Sequence, residues 1–247
     1  MTERDEPMNP SEREAAVWDL PTRLFHWALV VLVGANLFLI SPRGGLHTIV
    51  HFLAGYGVAG LLLFRLAWGF LGSPRSRFGD FIHRWPVVRA YIERLRRFDP
   101  PPSVGHNPLG GWMIVVLLAT LAGMIATGLF AASRRAAGPL AGLVSPALAG
   151  LLGNLHSLIS DLLIALIVVH LAGVAVDWFL TGDNLVKAMI TGRKRLPAGS
   201  AAAERPLAPA WRALVVALLS LALAAVLAVS TDYTRTRDTL AQTSGQP

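Results

Sequence analysis

His156 and His170 stand 14 residues apart in one apolar run. At 100° per residue that separation turns about 1400°, roughly 40° short of four full turns, so both imidazoles share one helix face and stand about 21 Å apart along its axis. A hydrocarbon core about 30 Å thick puts one near each of its sides. His26 and His51 lie inside or at the ends of two other apolar runs. A neutral imidazole is a good iron ligand and poor material for a lipid-facing surface. Four of them at two depths is the arrangement that holds two metal centres in series across a membrane. With helices that alternate in direction, the pairs are His26 with His170 and His51 with His156. Each pair comes from two different helices, as bis-imidazole ligation of a planar macrocycle between helices requires. The plain alternative is an imidazole bonded to the backbone of a neighbouring helix. It accounts for a single intramembrane histidine as well as ligation does, but poorly for four at matched depths.

Other residues add to this pattern with less force. Gly55 follows His51 by about one turn and Gly173 follows His170 by just under one, where a missing side chain lets a flat haem ring lie against the backbone. Close helix packing in membranes also favours glycine. Arg65 lies 14 residues beyond His51, on nearly the same face but at the depth of the other pair. It is placed either to pair with haem propionates as a bidentate donor or to snorkel to the interface. Asp161 falls inside the fourth apolar run, where a cation partner, a proton path and polar neighbours are all open readings. His47 is one turn before His51 and reads as a surface histidine in a short loop. His83, among basic residues, reads as solvated. His106 opens Gly105-His106-Asn107-Pro108 at the start of the third run, either as a structural residue or lining a quinone or propionate site.

These residues need membrane-spanning helices to position them, and the composition supplies them. The chain has 247 residues, 53% hydrophobic and 15% charged, against about 25% charged for a soluble domain. Five apolar segments are long enough to span: Leu24–Ile40, Ile49–Leu71, Gly110–Ala132, Leu155–Leu180 and Ala213–Ser230. The fifth is nearly pure Ala, Leu and Val with no histidine. The expected fold is an all-α membrane protein. Residues 23–195 form a four-helix di-haem bundle, residues 1–22 an N-terminal tail, 196–209 a linker, 210–231 an additional helix and 232–247 a C-terminal tail. Gly72–Leu109 is expected on the N-terminal side, with a short basic helix over Val87–Phe98 at the lipid surface. Ala131–Asn154 is expected as a loop on the opposite side, including a short interfacial helix. There is no cysteine, which excludes covalent c-type haem attachment, iron–sulfur ligation, thiolate zinc sites and disulfides.

The formal net charge of +7 is topology, not nucleic-acid binding. With the N-terminus in the cytoplasm, that side receives Arg4, Arg13 and Arg23, the arginines from Arg75 to Arg97, and Lys187 through Arg212. The other side receives Arg43, Arg134, Arg135, Arg235 and Arg237. This imbalance of positive residues predicts a cytoplasmic N-terminus and a periplasmic C-terminus in a multi-pass protein of a bacterial inner membrane. The first 22 residues are polar and acidic and lack the basic start of a secretory signal.

Taken together, the chain resembles the bacterial cytochrome b561 family, which includes the b-type cytochrome subunits of nickel–iron hydrogenases. The resemblance rests on Val17-Trp18-Asp19-Leu20-Pro21-Thr22-Arg23-Leu24-Phe25-His26-Trp27, on His51-Phe52-Leu53-Ala54-Gly55-Tyr56 and on Phe64-Arg65-Leu66-Ala67-Trp68-Gly69. It continues through Gly105-His106-Asn107-Pro108, Gly138-Pro139-Leu140, Leu155-His156, Val169-His170, Asn184-Leu185-Val186 and Met189-Ile190-Thr191-Gly192. It covers about residues 17–195. It implies a four-helix core binding two b-type haems through His26, His51, His156 and His170. It also implies electron transfer between a quinone pool and a redox partner, a c-type cytochrome or a dehydrogenase or hydrogenase. The chain is then an electron-transfer protein or a subunit of a quinone-linked oxidoreductase, with no catalytic residue of its own. The rival readings are a haem-free proton-coupled transporter, which would use His and Asp161 as a relay, and a membrane anchor for a redox enzyme. The fifth helix departs from the four-helix pattern.

Overall fold

A computed structural model describes residues 12–38, 45–133, 137–197 and 206–244. Strand β1 (Glu12–Ala16) leads into helices α1 (Leu20–Phe38) and α2 (Gly45–Leu71). Two short helices follow, α3 (Phe78–Phe81) and α4 (Trp85–Leu95), then α5 (Pro108–Phe130), α6 (Pro146–Thr181) and α7 (Leu185–Thr191). Strand β2 (Arg193–Pro197) precedes α8 (Ala210–Ser244). Helices α1, α2, α5, α6 and α8 are each long and apolar enough to cross a membrane. The chain is an all-α, multi-pass membrane protein, relieved among the described residues by one two-stranded antiparallel sheet.

Local chemistry fixes the helix ends. Asn107 caps α5, its side chain accepting from the Gly110 amide at 2.7 Å, with Pro108 in the first turn where a missing N–H costs nothing. Ser145 and Pro146 open α6 the same way. The helix therefore starts well before Leu155, and the expected loop over Ala131–Asn154 contracts to a segment with one 3₁₀ turn at Ala141–Leu143. At 36 residues, α6 is about 54 Å long, well beyond a hydrocarbon core of about 30 Å. It stops at Gly182, whose φ of 75° is the left-handed cap that glycine adopts without strain. The basic helix expected over Val87–Phe98 runs from Trp85 to Leu95.

Helix α2 is the hub. It packs against α1, α5 and most extensively α8, while α6 packs chiefly against α5. Phe25, Leu62, Phe64, Trp68, Leu118, Ala213 and Val216 form the core joining α1, α2, α5 and α8. Val58, Leu121 and Leu163 join α2, α5 and α6. The fifth span is thus seated on α2. Gly60 permits the approach, since a Cβ there would lie 3.3 Å from the Ala224 Cβ.

A polar layer closes the end of the bundle that carries the sheet. β1 pairs with β2 from Glu12 opposite Pro197 to Ala16 opposite Arg193. The amides of Val17 and Trp18 then donate to the Gly192 carbonyl at 2.8 and 3.1 Å. Buried Asp19 accepts from the Thr22 amide at 2.9 Å and from the indole of fully buried Trp68 at 3.0 Å. Buried Lys194 pairs with Asp183 at 3.1 Å and donates to the Ser103 carbonyl at 3.1 Å. What reads in sequence as a polar tail, and as the join between the bundle and the linker, therefore forms two strands that meet beneath the helices.

Candidate functional site

The four histidines fall at two ends of the bundle. His51, near the start of α2, and His156, on α6, lie at the end opposite the sheet, with ring centroids 6.0 Å apart and planes at 86°. Two imidazoles on opposite sides of one metal, each bonded at about 2.0–2.1 Å, have centroids about 6.4 Å apart. The observed separation is close to that value. The two rings border a cavity of about 430 Å³, with Asn36 of α1, Gly55 and Tyr56 of α2, Met124 and Gly128 of α5, and Asp161 of α6 on its walls.

Hydrogen bonds set the tautomers of this pair. Asn36 donates its amide to the Leu32 carbonyl at 3.0 Å, which turns its oxygen toward His51 Nδ1 at 2.8 Å. His51 Nδ1 must therefore be the protonated nitrogen. His156 Nδ1 lies 3.0 Å from the Met124 carbonyl, which can only accept, so it too carries the proton. The Thr127 hydroxyl is 3.2 Å from the same nitrogen. Both Nε2 atoms are left with a lone pair, the state in which imidazole binds iron. An oriented N–H on the far ring nitrogen is the usual support of a histidine ligand.

At the sheet-bearing end, His26 of α1 and His170 of α6 are close enough to interact electrostatically. The Nδ1 of His26 is buried without a hydrogen-bond partner among the described residues. Arg65 is buried beside this pair's end of the bundle, its guanidinium 5.1 Å from the Phe78 ring centre and 5.6 Å from that of Phe81. Its Nη1 is also without a partner among the described residues. His106 lies between the rings of Trp18 at 4.4 Å and Phe81 at 4.9 Å. Burial, and then the charges of Arg65, Lys194 and His170, push its imidazole down to about 3, so it is neutral at any physiological pH. Nearby, the Asn107 amide donates to Asp177 at 2.8 Å. Tyr91 is pushed up to about 12, first by burial and then by the charge of Asp177 and a hydrogen bond to it. Its phenol therefore stays protonated and ties α4 to α6.

The donor set suits a haem. Among the described residues no cluster of three or more His, Asp or Glu forms a metal cage. Paired imidazoles supply two positions of an iron and leave the other four to another group, as a porphyrin does. A Cβ built on Gly55 or Gly173 would meet nothing within 4 Å. Among the described residues no atom packs against either glycine at that distance. Arg65 offers a buried Nη1 that has no hydrogen-bond partner among the described residues and is suited to a carboxylate.

Some expectations need amendment. His83 is half-buried, its ring nitrogen 2.9 Å from the Phe81 carbonyl, and not simply solvated. The His47 side chain lies outside the described residues. Asn36, Met124, Thr127 and Gly128 are absent from the sequence reading. A polar Asn36 inside an apolar run was a usable signal. Gly128 gave none, being one of several small residues in α5.

The family model for prokaryotic cytochrome b561 matches residues 17–192, well over half of the chain. A probable Ni/Fe-hydrogenase B-type cytochrome subunit of Azotobacter vinelandii is 32% identical over 38% of this chain and 49% of its own length. A probable Ni/Fe-hydrogenase 1 B-type cytochrome subunit of Escherichia coli (strain K12) is 29% identical over the same shares. The matches thus span about half the length of these curated relatives. No solved structure gives a significant match.

Proposed function

The chain belongs to the prokaryotic cytochrome b561 family, and from that premise we propose that it is a di-haem b-type cytochrome that moves electrons between a quinone pool and a redox partner. The observation that carries the reading is the His51–His156 pair. Its rings sit at a metal-bridging separation beside a cavity, with both Nδ1 protons committed elsewhere. His51 and His156 would hold one haem, and His26 and His170 the other. Two b-type haems so bound would supply one-electron carriers in series, without an open iron position for oxygen chemistry.

The chain's own residues do the rest. Asn36 and the Met124 carbonyl orient the two ligand rings and keep their Nε2 atoms unprotonated. Gly55 and Gly173 leave room against the backbone. Arg65 presents its guanidinium to a propionate at the His26–His170 end. The apolar walls of α2, α5 and α6 exclude water. The basic imbalance supports a cytoplasmic N-terminus in a bacterial inner membrane, with the His26–His170 haem on the cytoplasmic side and the C-terminus in the periplasm. The external partner is a c-type cytochrome or a dehydrogenase or hydrogenase, the last suggested by the names of the relatives.

The visible spectrum of the purified protein tests this. Reduced-minus-oxidised bands of b-type haem at about two haems per chain are the expected result. A colourless protein would instead favour a transporter or a haem-free membrane anchor. A finer test is Asn36→Leu, which removes the acceptor of the His51 Nδ1–H and keeps the branching of the side chain. Loss of such a support costs about 10- to 100-fold in affinity for the metal group. Haem-transfer assays should show one haem leaving that much more readily and the other unaffected.

A further inference from the structure

All seven tryptophans of the chain stand at the sheet-bearing end of the bundle. Trp18 and Trp68 are buried, whereas Trp27, Trp85, Trp112, Trp178 and Trp211 are 37 to 67% exposed. Trp27, Trp112 and Trp211 lie near the starts of α1, α5 and α8, and Trp178 near the end of α6. Tryptophan collects at membrane–water interfaces, so this girdle marks where hydrocarbon gives way to headgroups. Helix α4 hangs at the same level. The Trp112 indole, about 6 Å of rise into α5, donates at 3.0 Å to the carbonyl of His83, two residues before Trp85 opens α4.

Helix α4 buries Val88 and Tyr91 and leaves its arginines exposed. Five arginines and two carboxylates lie between Arg84 and Asp99. Both carboxylates are taken, Glu93 by Arg89 at 3.1 Å and Asp99 by Arg94 at 2.8 Å. Arg84, Arg96 and Arg97 are exposed and have no carboxylate partner among the described residues. The Arg94 clamp has a second effect. Its Nε donates to the Asp99 carbonyl at 2.9 Å, closing a turn in which Phe98 takes a φ of 58° and is 79% exposed. A bulky residue in the left-handed region is uncommon, and an aromatic ring held out into water gains nothing by it. At a membrane interface the ring is covered by acyl chains.

We propose that α4 and the turn after it form a docking surface for anionic phospholipid, with Trp85 and Phe98 in the interface and Arg84, Arg96 and Arg97 on the headgroup phosphates. Three guanidiniums beside two exposed aromatic rings are complementary to a phosphate carried above acyl chains. An acidic soluble protein would meet the same charge, but the tryptophan girdle puts α4 at the level of the lipid headgroups and not beyond them. This surface serves whichever leaflet meets the sheet end, and it needs no haem.

Native mass spectrometry of the purified full-length protein tests this, with phosphatidylglycerol and phosphatidylcholine of the same acyl chains as probes. A lysine or arginine near anionic lipid strengthens binding about fivefold. One or two arginines on a headgroup should therefore favour phosphatidylglycerol over phosphatidylcholine by roughly 5- to 25-fold. Arg84→Gln, Arg96→Gln and Arg97→Gln together should remove that preference and leave phosphatidylcholine binding unchanged. Equal affinity of the wild-type protein for the two lipids overturns the proposal, and is the result expected if α4 receives an acidic protein instead. A preference that persists undiminished in the triple variant also overturns it, since the anionic lipid then binds elsewhere. If the triple variant fails to fold, the single variants decide. At least one should lower the affinity for phosphatidylglycerol about fivefold, and no loss in any of them overturns the proposal. A colourless protein that keeps the lipid preference removes the haem reading alone.

Discussion

His170→Ala protein should purify with one haem in place of two, its reduced b-type absorbance falling by about half. The removed imidazole is the α6 member of the sheet-end pair. His26 alone, with no hydrogen-bond partner for its Nδ1 among the described residues, has nothing to hold an iron from the other side. The His51–His156 pair lies at the opposite end, about 21 Å away along α6, and keeps its own supports from Asn36 and Met124. It should retain its haem. His156→Ala should give the mirror result, and the double variant should be colourless while still inserting five spans. Full occupancy of both haems in either single variant would show that the ligands are assigned wrongly.

Much of this arrangement is legible in the chain because membrane helices obey few rules. A 14-residue interval fixes the shared face and separation of His156 and His170 whatever surrounds them. Alternating direction then suggests partners, and the structure brings the rings of His51 and His156 to 6.0 Å. The five spans follow from apolar length alone. What escapes the reading depends on contacts far apart in sequence. Residues 12–16 carry no sign that they will pair with residues 193–197, because neither strand alternates strongly and the partners are separated by four spans. The seating of α8 on α2 is equally silent, since a helix of Ala, Leu and Val offers no distinctive face until Gly60 and Ala224 are seen to touch. The early start of α6 was available in the Ser145-Pro146 cap. The glycine and alanine that follow it read more readily as loop.

The two ends of the bundle are built to different plans, and this bears on how each tolerates change. The sheet end is stiffened by polar contacts at the ends of the helices and in the segments that join them: Asp19 to Trp68, Lys194 to Asp183, Asn107 to Asp177. Among the described residues the other end shows fewer such ties, and its imidazoles are oriented by acceptors within the spans. Substitutions near His51 and His156 should therefore affect one haem without loosening the fold.

Gly128 is where that difference is sharpest. A Cβ at this position of α5 would stand 2.9 Å from His156 Cε1 and 3.1 Å from its Nδ1. The imidazole lies close against the helix there, with its Nδ1 3.0 Å from the Met124 carbonyl one turn earlier. Gly128→Leu should push the ring off that carbonyl and out of line with His51. The cost to the α5 helix itself is small, because glycine is the poorer helix former by about 1 kcal/mol. The expected result is a stable protein that retains the His26–His170 haem and binds the other at least about 10-fold more weakly, the scale on which lost ligand support is felt. Gly128→Ala should show the same defect in weaker form. Thermal unfolding separates this from general damage: a melting temperature near that of wild type with one haem missing assigns the effect to the ring, whereas full haem content in Gly128→Leu would mean that His156 does not need its place against α5 to bind iron.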